Sequence, residues 1–277
     1  MKKKTNITVI IPIHSNASDN FDAYLKSALT SIQDNIVLPE KILIVAPKNK
    51  DNIVANASVA AEEFTELDIN YIVNEKSSDF ATQMNVGVEN VKTEYFSFLE
   101  FDDEYSKLWF ANAEKYIAEF PEVSMFLPII SDASPDNKFL GYTNEIAWAY
   151  EFTDKQGYID AETLKEYPNF NPDGMVMKTA DFKKIGGYKK NIKLAFNLEF
   201  LLRACDQSLP IMVIPKIGYK HTNMRVNSLF WEYKNGENGL TPMESEFWME
   251  AAQKEFYYTD DRDIKYTPKV APPITNQ

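Results

Sequence analysis

The chain of 277 residues is predicted to adopt an α/β fold in which helices cover both faces of a mostly parallel sheet. Two observations predict this class. Short, nearly continuous apolar runs recur along the first half, which is typical of strands buried on both faces. The segments between them place apolar residues at helical spacing. Hydrophobic residues make up 44% of the chain, which is enough for a large core.

Strands and helices alternate through the first hundred residues. We expect strands at 7–11, 42–45, 69–73 and 95–99. A first helix follows from the spacing of Phe21, Leu25 and Leu29, with Asp19 or Asn20 as its cap. Further helices are expected at 53–64 and 80–88. This alternation predicts parallel strands joined by crossover helices.

The second half is less regular. It predicts helices at 108–118, 180–185 and 198–204 and strands at 125–130, 175–177, 211–214 and 217–221. The segment 131–173 has weak periodicity and many aromatic residues. Pro242 is expected to open a final amphipathic helix that ends near Phe256. The remaining residues, 257–277, are predicted to be an extended tail, either disordered or docked on a partner.

The most informative segment is the strand at 95–99 and the acids that follow it. Glu100, Asp102, Asp103 and Glu104 place four carboxylates within five positions. In parallel sheets, ligands bind at the carboxyl ends of strands, which is where these acids would lie. Carboxylate oxygens suit Mg²⁺ or Mn²⁺, and such an ion could neutralise a diphosphate. The alternative is an ordinary solvated acidic turn.

Composition narrows the function classes. The net charge of −12 argues against nucleic acid as a tightly held partner, because phosphate binding depends on Lys and Arg. Cys205 is the sole cysteine, which excludes an intrachain disulfide and a cysteine zinc site. No apolar run is long enough to predict a transmembrane segment. We therefore expect a soluble cytoplasmic protein.

Several segments, in order, resemble those of family 2 glycosyltransferases of the GT-A fold. Residues 7–15 resemble the family's first strand and Pro-x-x-Asn turn, and Met84-Asn85-Val86-Gly87 resembles its Arg-Asn-x-Gly element. Residues 95–103 resemble its strand running into Asp-x-Asp-Asp, and 174–187 resemble its acceptor-side strand, helix and Gly-Gly-Phe turn. Residues 196–203 lie where the family has Glu-Asp-x-x-Leu-x-x-Arg, and 219–221 with Asn227-Ser228 resemble its closing strand and loop. The resemblance covers roughly residues 5–230.

The resemblance implies a Rossmann-like GT-A domain and a metal-dependent, inverting transfer of a sugar to an acceptor hydroxyl. Residues 1–105 would form the nucleotide-sugar-binding half, 106–235 the acceptor-side α+β half, and 236–277 the C-terminal helix and tail. The implied ligands are a nucleotide-sugar donor, most naturally a UDP-sugar, a Mn²⁺ or Mg²⁺ ion, and a carbohydrate or other hydroxyl acceptor. The implied metal site comprises Glu100, Asp102, Asp103 and His221, although His221 also fits an ordinary strand-end histidine. The implied donor-binding positions are Pro12, His14, Ser15, Ala46, Asn85 and Asp102.

The chain departs from the family pattern at two chemically important positions. Ala46 stands where the family has the Asp that holds the nucleobase. Asn197 stands where the family has the Asp that takes a proton from the acceptor, and an amide is not a base at neutral pH. Glu199 is the candidate substitute, but positions i and i+2 on a helix point about 200° apart, so an Arg-paired role is the alternative. Asn197 would also suit a helix N-cap. Ser15 and Met84 are milder departures.

Three functions remain open from the sequence. The first is the glycosyltransferase. The second is a GT-A-like protein without turnover that acts as a binding or structural component of an assembly. Its partner would dock on the C-terminal helix and tail, which carry Phe247, Trp248, Phe256, Tyr257 and Tyr258. The third is a nucleotidyltransferase, which fits the acids but lacks a Gly-rich, basic phosphate loop after the first strand.

Overall fold

The computed structural model describes residues 2–13, 20–48, 62–77, 79–237 and 239–268. The strands are β1 (Lys3–Lys4), β2 (Ile7–Pro12), β3 (Val37–Leu38), β4 (Lys41–Pro47), β5 (Ile69–Asn74), β6 (Tyr95–Phe98), β7 (Glu104–Tyr105), β8 (Met125–Ala133), β9 (Phe139–Thr143), β10 (Tyr158–Ile159), β11 (Val176–Lys178) and β12 (Ile211–Thr222). The helices are α1 (Phe21–Gln33), α2 (Phe80–Glu89), α3 (Trp109–Glu119), α4 (Ala161–Glu166), α5 (Thr179–Lys184), α6 (Phe196–Asp206), α7 (Leu229–Asn235) and α8 (Pro242–Glu255), with a short 3₁₀ helix at Glu145–Trp148.

Ten of the described strands form one sheet. Its order is β10-β12-β8-β11-β6-β2-β4-β5, with β7 also pairing β12 and β9 also pairing β8. The pairs β2–β6, β2–β4, β4–β5 and β8–β12 are parallel, whereas β11 is antiparallel to both neighbours. The predicted mostly parallel sheet is therefore confirmed. The sheet takes strands from both predicted halves, 1–105 and 106–235.

The direction of β11 decides which strand ends meet at one edge of the sheet. Since β6 and β8 are both antiparallel to β11, they run the same way, and β12 runs with β8. The carboxyl ends of β6, β8 and β12 consequently lie at the same edge as the beginning of β11. That edge is where α/β proteins bind their ligands.

Apolar clusters cover both faces of the sheet. Ile10 of β2 belongs to one cluster, which includes residues of α2, α5, α6 and α8. Val9 and Ile11 belong to the other, which includes residues of α1 and α3. This alternation along one strand is what a sheet buried on both faces requires. It confirms the predicted helical covering.

Helix α2 lies very close to the sheet. Asp79 caps its first turn by accepting a hydrogen bond from Thr82 N at 2.7 Å. A Cβ at Gly87 would lie 2.5 Å from Ile10 Cγ2, so any larger residue would push the helix away from β2. The first residue of the helix, Phe80, is thereby held at the carboxyl edge of the sheet.

Several local predictions differ from the structure. Segments 211–214 and 217–221 belong to the single strand β12, whose register against β8 shifts between Val213 and Ile217. The weakly periodic segment 131–173 contains β9, β10, α4 and the 3₁₀ helix. Asn20 precedes α1 but makes no side-chain capping bond, and Asp19 is not among the described residues. Most of the predicted helix at 53–64 also falls outside them.

The C-terminal helix and the described part of the tail pack on their own chain. Helix α8 begins at Pro242, as predicted. Trp248 and Phe256 are buried. The Asp261 carboxylate accepts hydrogen bonds from the backbone N–H groups of Lys190 and Asn191. Much of the aromatic surface expected to meet a partner therefore contributes to the core, which leaves Tyr257 and Tyr258 exposed.

Candidate active site

A cavity of about 270 Å³ opens at the carboxyl edge of the sheet. Its acidic and imidazole side chains come from three strand ends: Glu100 and Asp102 follow β6, Asp132 lies in β8, and His221 lies in β12. Neutral polar groups line it as well, among them Thr143, Asn169, Asn171 and Asn223. The sheet topology thus gathers residues more than 100 positions apart in the sequence.

Asp103, which is not among the described residues that line the cavity, holds the His221 ring in place. Its Oδ1 accepts the backbone N–H of Thr222 at 2.7 Å, and its Oδ2 lies 3.0 Å from His221 Nδ1. Burial disfavours protonation of the imidazole, but the charge and hydrogen bond of Asp103 outweigh it and raise the pKa of His221 well above its usual range. With Nδ1 engaged, Nε2 is the His221 atom left for a ligand.

Asp173 is a site residue that sequence reasoning missed. Its Oδ2 lies 3.9 Å from His221 Nδ1 and accepts a hydrogen bond from Asn171 Nδ2 at 2.7 Å. Burial raises the pKa of Asp173 to about 6, while His221 opposes the shift and Asp103 adds to it. The sequence signal was the Asn171-Pro172-Asp173-Gly174 turn before β11. Because β11 is antiparallel to its neighbours, this turn lies at the ligand edge of the sheet.

Glu100 and Asp102 are destabilised in their ionised forms. Burial, followed by the charges of Asp173, Asp103 and Asp102, raises the pKa of Glu100 well above its usual range. Burial and the charge of Asp103 raise the pKa of Asp102 to about 6, even though Arg225 acts in the opposite direction. Asp102 Oδ1 is buried and has no hydrogen-bond partner within the described parts of the chain. A buried, unsatisfied carboxylate oxygen is costly unless something binds it.

These residues fit a divalent cation. Asp103, Asp173 and His221 each offer a ligand atom, and these atoms lie within 4.8 Å of one another. Clustered carboxylates with an imidazole suit Mn²⁺ or Mg²⁺, and a cation would offset the mutual repulsion of the acids. Of the predicted metal ligands, Glu100, Asp102 and His221 line the cavity, and Asp103 lies in the close group with Asp173 and His221 while its oxygens also contact Thr222 N and His221 Nδ1. The geometry adds Asp173 to the predicted set.

Arg225 is the second site residue that sequence reasoning missed. It is buried, and its Nε donates a hydrogen bond to Asp102 Oδ2. Its guanidinium carbon lies 5.1 Å from the centre of the Phe101 ring and 5.9 Å from that of Tyr24. The sequence signal for this role was an arginine in the loop after His221. The Arg225 guanidinium places a fixed positive charge directly beside the acids.

The family model of glycosyl transferase family 2 matches residues 8–186, well over half of the chain. The chain belongs to this family. Among solved structures, Staphylococcus aureus TarS 1-349 in complex with UDP-GlcNAc matches with a TM-score of 0.66 and 16% identity, over 95% of this chain and 68% of that one. A mannosyltransferase from Pyrobaculum calidifontis in complex with GDP-Man and Mn²⁺ matches with a TM-score of 0.58 and 14% identity, over 78% of this chain and 56% of that one. The fold is therefore that of GT-A glycosyltransferases.

The chain is shorter than these neighbours. It spans 60% of another TarS 1-349 structure, with a TM-score of 0.59 and 16% identity over 80% of this chain. No curated protein matches it. Among the described residues, no helix has the length and apolar character needed to cross a bilayer.

The predicted donor-binding positions of this family 2 chain lie in different environments. Pro12 ends β2 at the carboxyl edge, and Ala46 is buried within β4. Asn85 is occupied elsewhere, because its Oδ1 accepts the Tyr188 N–H at 2.8 Å and its Nδ2 donates to the Tyr188 carbonyl at 2.7 Å. His14 and Ser15 lie outside the described residues.

The two predicted catalytic positions lie on α6, and neither is among the described residues that line the cavity. Asn197 is the second residue of the helix, and Ala195 rather than Asn197 is the N-cap. Glu199 is fully buried and forms ion pairs with Arg203 Nε at 2.8 Å and Lys189 Nζ at 2.9 Å. Glu199 therefore has the arginine-paired role that the sequence offered as the alternative to a catalytic base. These contacts leave no oxygen of Glu199 exposed to a substrate.

Proposed function

We propose that this family 2 chain transfers a sugar from a nucleotide-sugar donor to a hydroxyl of a carbohydrate or similar acceptor, with inversion at the sugar and with Mn²⁺ or Mg²⁺ bound. One observation carries the proposal: buried carboxylates with raised pKa values meet an imidazole at the ligand edge of a GT-A sheet. Such groups are costly to the fold, and a bound cation and diphosphate make use of them.

Asp103, Asp173 and His221, whose ligand atoms lie within 4.8 Å of one another, are the groups that would hold the ion, with Glu100 and Asp102 of the cavity wall as further ligands. When bound, the ion would neutralise the charge that develops on the departing diphosphate. The chain's own residues prepare the site. Asp103 fixes the His221 ring, and the Tyr219 hydroxyl accepts the Glu100 backbone N–H at 3.1 Å. Arg225 holds one Asp102 oxygen and adds a positive charge that needs no ion.

A UDP-sugar is the donor we propose first. The TarS structure contains UDP-GlcNAc and the mannosyltransferase contains GDP-Man, so both bases occur among structures of this fold. Ala46 offers the nucleobase only a methyl group at the position of the family's Asp. Roles for Pro12, His14, Ser15 and Asn85 in donor binding remain predictions. So does a cytoplasmic location.

The amide at Asn197 favours one alternative, a GT-A-like protein without turnover. Such a protein would act as a binding or structural component, and the exposed Tyr257 and Tyr258 beside α8 are the described aromatics that a protein partner would meet. This alternative still allows nucleotide binding. It predicts that no sugar leaves the donor.

Two measurements separate these functions. Thermal unfolding is followed with UDP, GDP, CDP or dTDP, each with and without Mn²⁺, and release of UDP from UDP-GlcNAc and of GDP from GDP-mannose is followed in parallel. A specific ligand at about 100 times its dissociation constant stabilises by about 2.7 kcal/mol. We expect one metal–nucleotide pair to do so and to be turned over. Stabilisation without release supports the alternative. The absence of both stabilisation and release refutes the glycosyltransferase.

Two variants test the roles of Asp102 in metal binding and of Asn197 at the base position. Asp102→Ala should abolish the metal-dependent stabilisation, whereas Asp136→Ala, which removes an exposed carboxylate on the β8–β9 hairpin, should not. Asn197→Asp should raise any transfer rate if position 197 still faces the acceptor. A fall in rate would show that Asn197 does not occupy the position of the base.

A further inference from the structure

Glycosyl transfer requires a group that takes the proton of the acceptor hydroxyl. The family position offers only the Asn197 amide, which is not among the described residues lining the cavity. Glu199 is fully buried and paired with Arg203 and Lys189. Neither residue can therefore serve as the base in the described arrangement. A different carboxylate must do so if the proposed reaction occurs.

Asp132 is a cavity carboxylate whose hydrogen bond goes to Thr143 rather than to the acid cluster, although its charge adds to the raised pKa of Asp173. Among the described residues, the carboxylates that line the cavity are Glu100, Asp102 and Asp132. Asp102 is tied to Arg225, and Glu100 belongs to the cluster around Asp173 and Asp103. Asp132 lies on β8, where it pairs in register with His221 of β12. It is thus one strand away from the proposed metal site, on the acceptor side of the chain.

The β8–β9 hairpin orients the Asp132 carboxylate. Thr143 Oγ1 donates a hydrogen bond to Asp132 Oδ2 at 2.7 Å, and both residues line the cavity. This bond fixes the rotamer and leaves Oδ1 available to a substrate. Asp132 is also only partly buried, unlike Asp103 and Glu199, so a hydroxyl can approach it.

The surrounding wall suits a sugar hydroxyl. Asn169, Asn171 and Asn223 line the cavity, and amides both donate to and accept from hydroxyls. The Asn171 amide is held by Asp173 and Asn223 Oδ1 accepts the Met224 N–H, so Asn169 and the Asn223 NH₂ group are the amide groups offered to a ligand. Phe80 and Phe230 add aromatic faces, on which the apolar face of a sugar ring can pack. A mainly polar wall with two aromatic side chains suits a ligand that is rich in hydroxyl groups.

We infer that Asp132 is the catalytic base of this chain and that it acts on a carbohydrate hydroxyl, an assignment that rests on the proposed glycosyl transfer. The Asp132 carboxylate accepts the acceptor O–H proton. The acceptor oxygen forms a bond to the anomeric carbon, and the bond from that carbon to the diphosphate oxygen breaks. The nucleoside diphosphate leaves with the electron pair, and the proton remains on Asp132.

The test compares two isosteric substitutions on one hairpin. Asp132→Asn keeps an oxygen that can accept the Thr143 hydrogen bond but is not a base. Asp136→Asn makes the same chemical change at an exposed position that pairs with Lys138. Release of UDP from UDP-GlcNAc and of GDP from GDP-mannose is measured with water as the acceptor. Stabilisation by UDP or GDP with Mn²⁺ is measured on the same samples.

Loss of a general base lowers the rate by about 10²–10⁴-fold. We expect Asp132→Asn to lower kcat by at least about 100-fold while KM for the donor and the Mn²⁺–nucleotide stabilisation stay within about threefold of wild type. Asp136→Asn should match wild type. A kcat for Asp132→Asn within about threefold of wild type overturns the assignment. Loss of nucleotide stabilisation along with kcat also overturns it, because Asp132 would then belong to the donor site. Failure of the wild-type chain itself to bind or release any nucleotide refutes the proposed function instead.

Discussion

Replacing Asp102 by Asn should stabilise the metal-free protein at neutral pH. Burial and Asp103 raise the pKa of this carboxyl from 3.8 to about 6, so the folded state holds its proton more tightly than the unfolded chain does. Ionisation then costs folding free energy, and stability falls as the pH rises from about 4 to about 6. The size of this cost at pH 7 is about 3 kcal/mol. Asn removes the cost and retains an oxygen that can accept the Arg225 hydrogen bond. The attraction between Arg225 and the ionised carboxylate is already included in this net cost, because the pKa stays raised although Arg225 lowers it.

Thermal unfolding in EDTA at pH 7.5 and at pH 4 measures this effect. A gain of about 3 kcal/mol corresponds to a rise in Tm of about 6 °C for a domain of this size. We expect that rise at pH 7.5 and only a small one at pH 4, which lies well below the folded-state pKa and close to the unfolded-state value of 3.8. Asp136→Asn, at an exposed position, should show no comparable rise at pH 7.5. An Asp102→Asn variant that is equally or less stable than wild type at pH 7.5 would refute the reasoning, as would an equal gain at both pH values.

Three further substitutions test the supporting structure, each by urea denaturation. Glu199→Gln leaves Arg203 and Lys189 buried without their carboxylate and should cost about 3–5 kcal/mol, so an unchanged midpoint would contradict a buried ion-pair network. Asn85→Ala leaves the N–H and carbonyl of Tyr188 without their partner and should cost about 1–3 kcal/mol; a neutral effect would mean that water replaces the amide. Gly87→Ala places a methyl group 2.5 Å from Ile10 Cγ2 and should cost about 1–3 kcal/mol, whereas a stabilised variant would show that α2 can move away from β2.

The framework of the fold follows from local sequence patterns. Strand β6 and helices α1, α2 and α8 lie close to where apolar periodicity and Pro242 predict them, because burial on one or both faces leaves a strong local signal. The segment 131–173 gives no such signal. Its elements β9, β10 and α4 are short and lie near an edge of the sheet, so few of their residues are required to be apolar.

The site was only partly predictable for a different reason. Glu100, Asp102, Asp103 and His221 carry recognisable motifs, and the structure brings them together. The roles of Asp173 and Arg225 depend instead on the antiparallel direction of β11 and on the path of the loop after β12, which no local pattern specifies. Asp132 and Thr143 likewise meet only because β8 and β9 pair. Position 197 is the opposite case. The family spacing identifies Asn197 as the base position, but Asn197 is not among the described residues that line the cavity.

Anomalous diffraction at the manganese edge tests the central claim most directly. Crystals of the wild-type chain would be grown with Mn²⁺ and either UDP or GDP, and matched crystals would be grown from Asp102→Asn. The account predicts one strong manganese peak beside Asp103, Asp173 and His221 and facing Glu100 and Asp102, with the diphosphate next to it, and a weakened or absent peak in the variant. A peak elsewhere, or no peak while a nucleotide is bound, would contradict a metal–diphosphate site at this edge of the sheet.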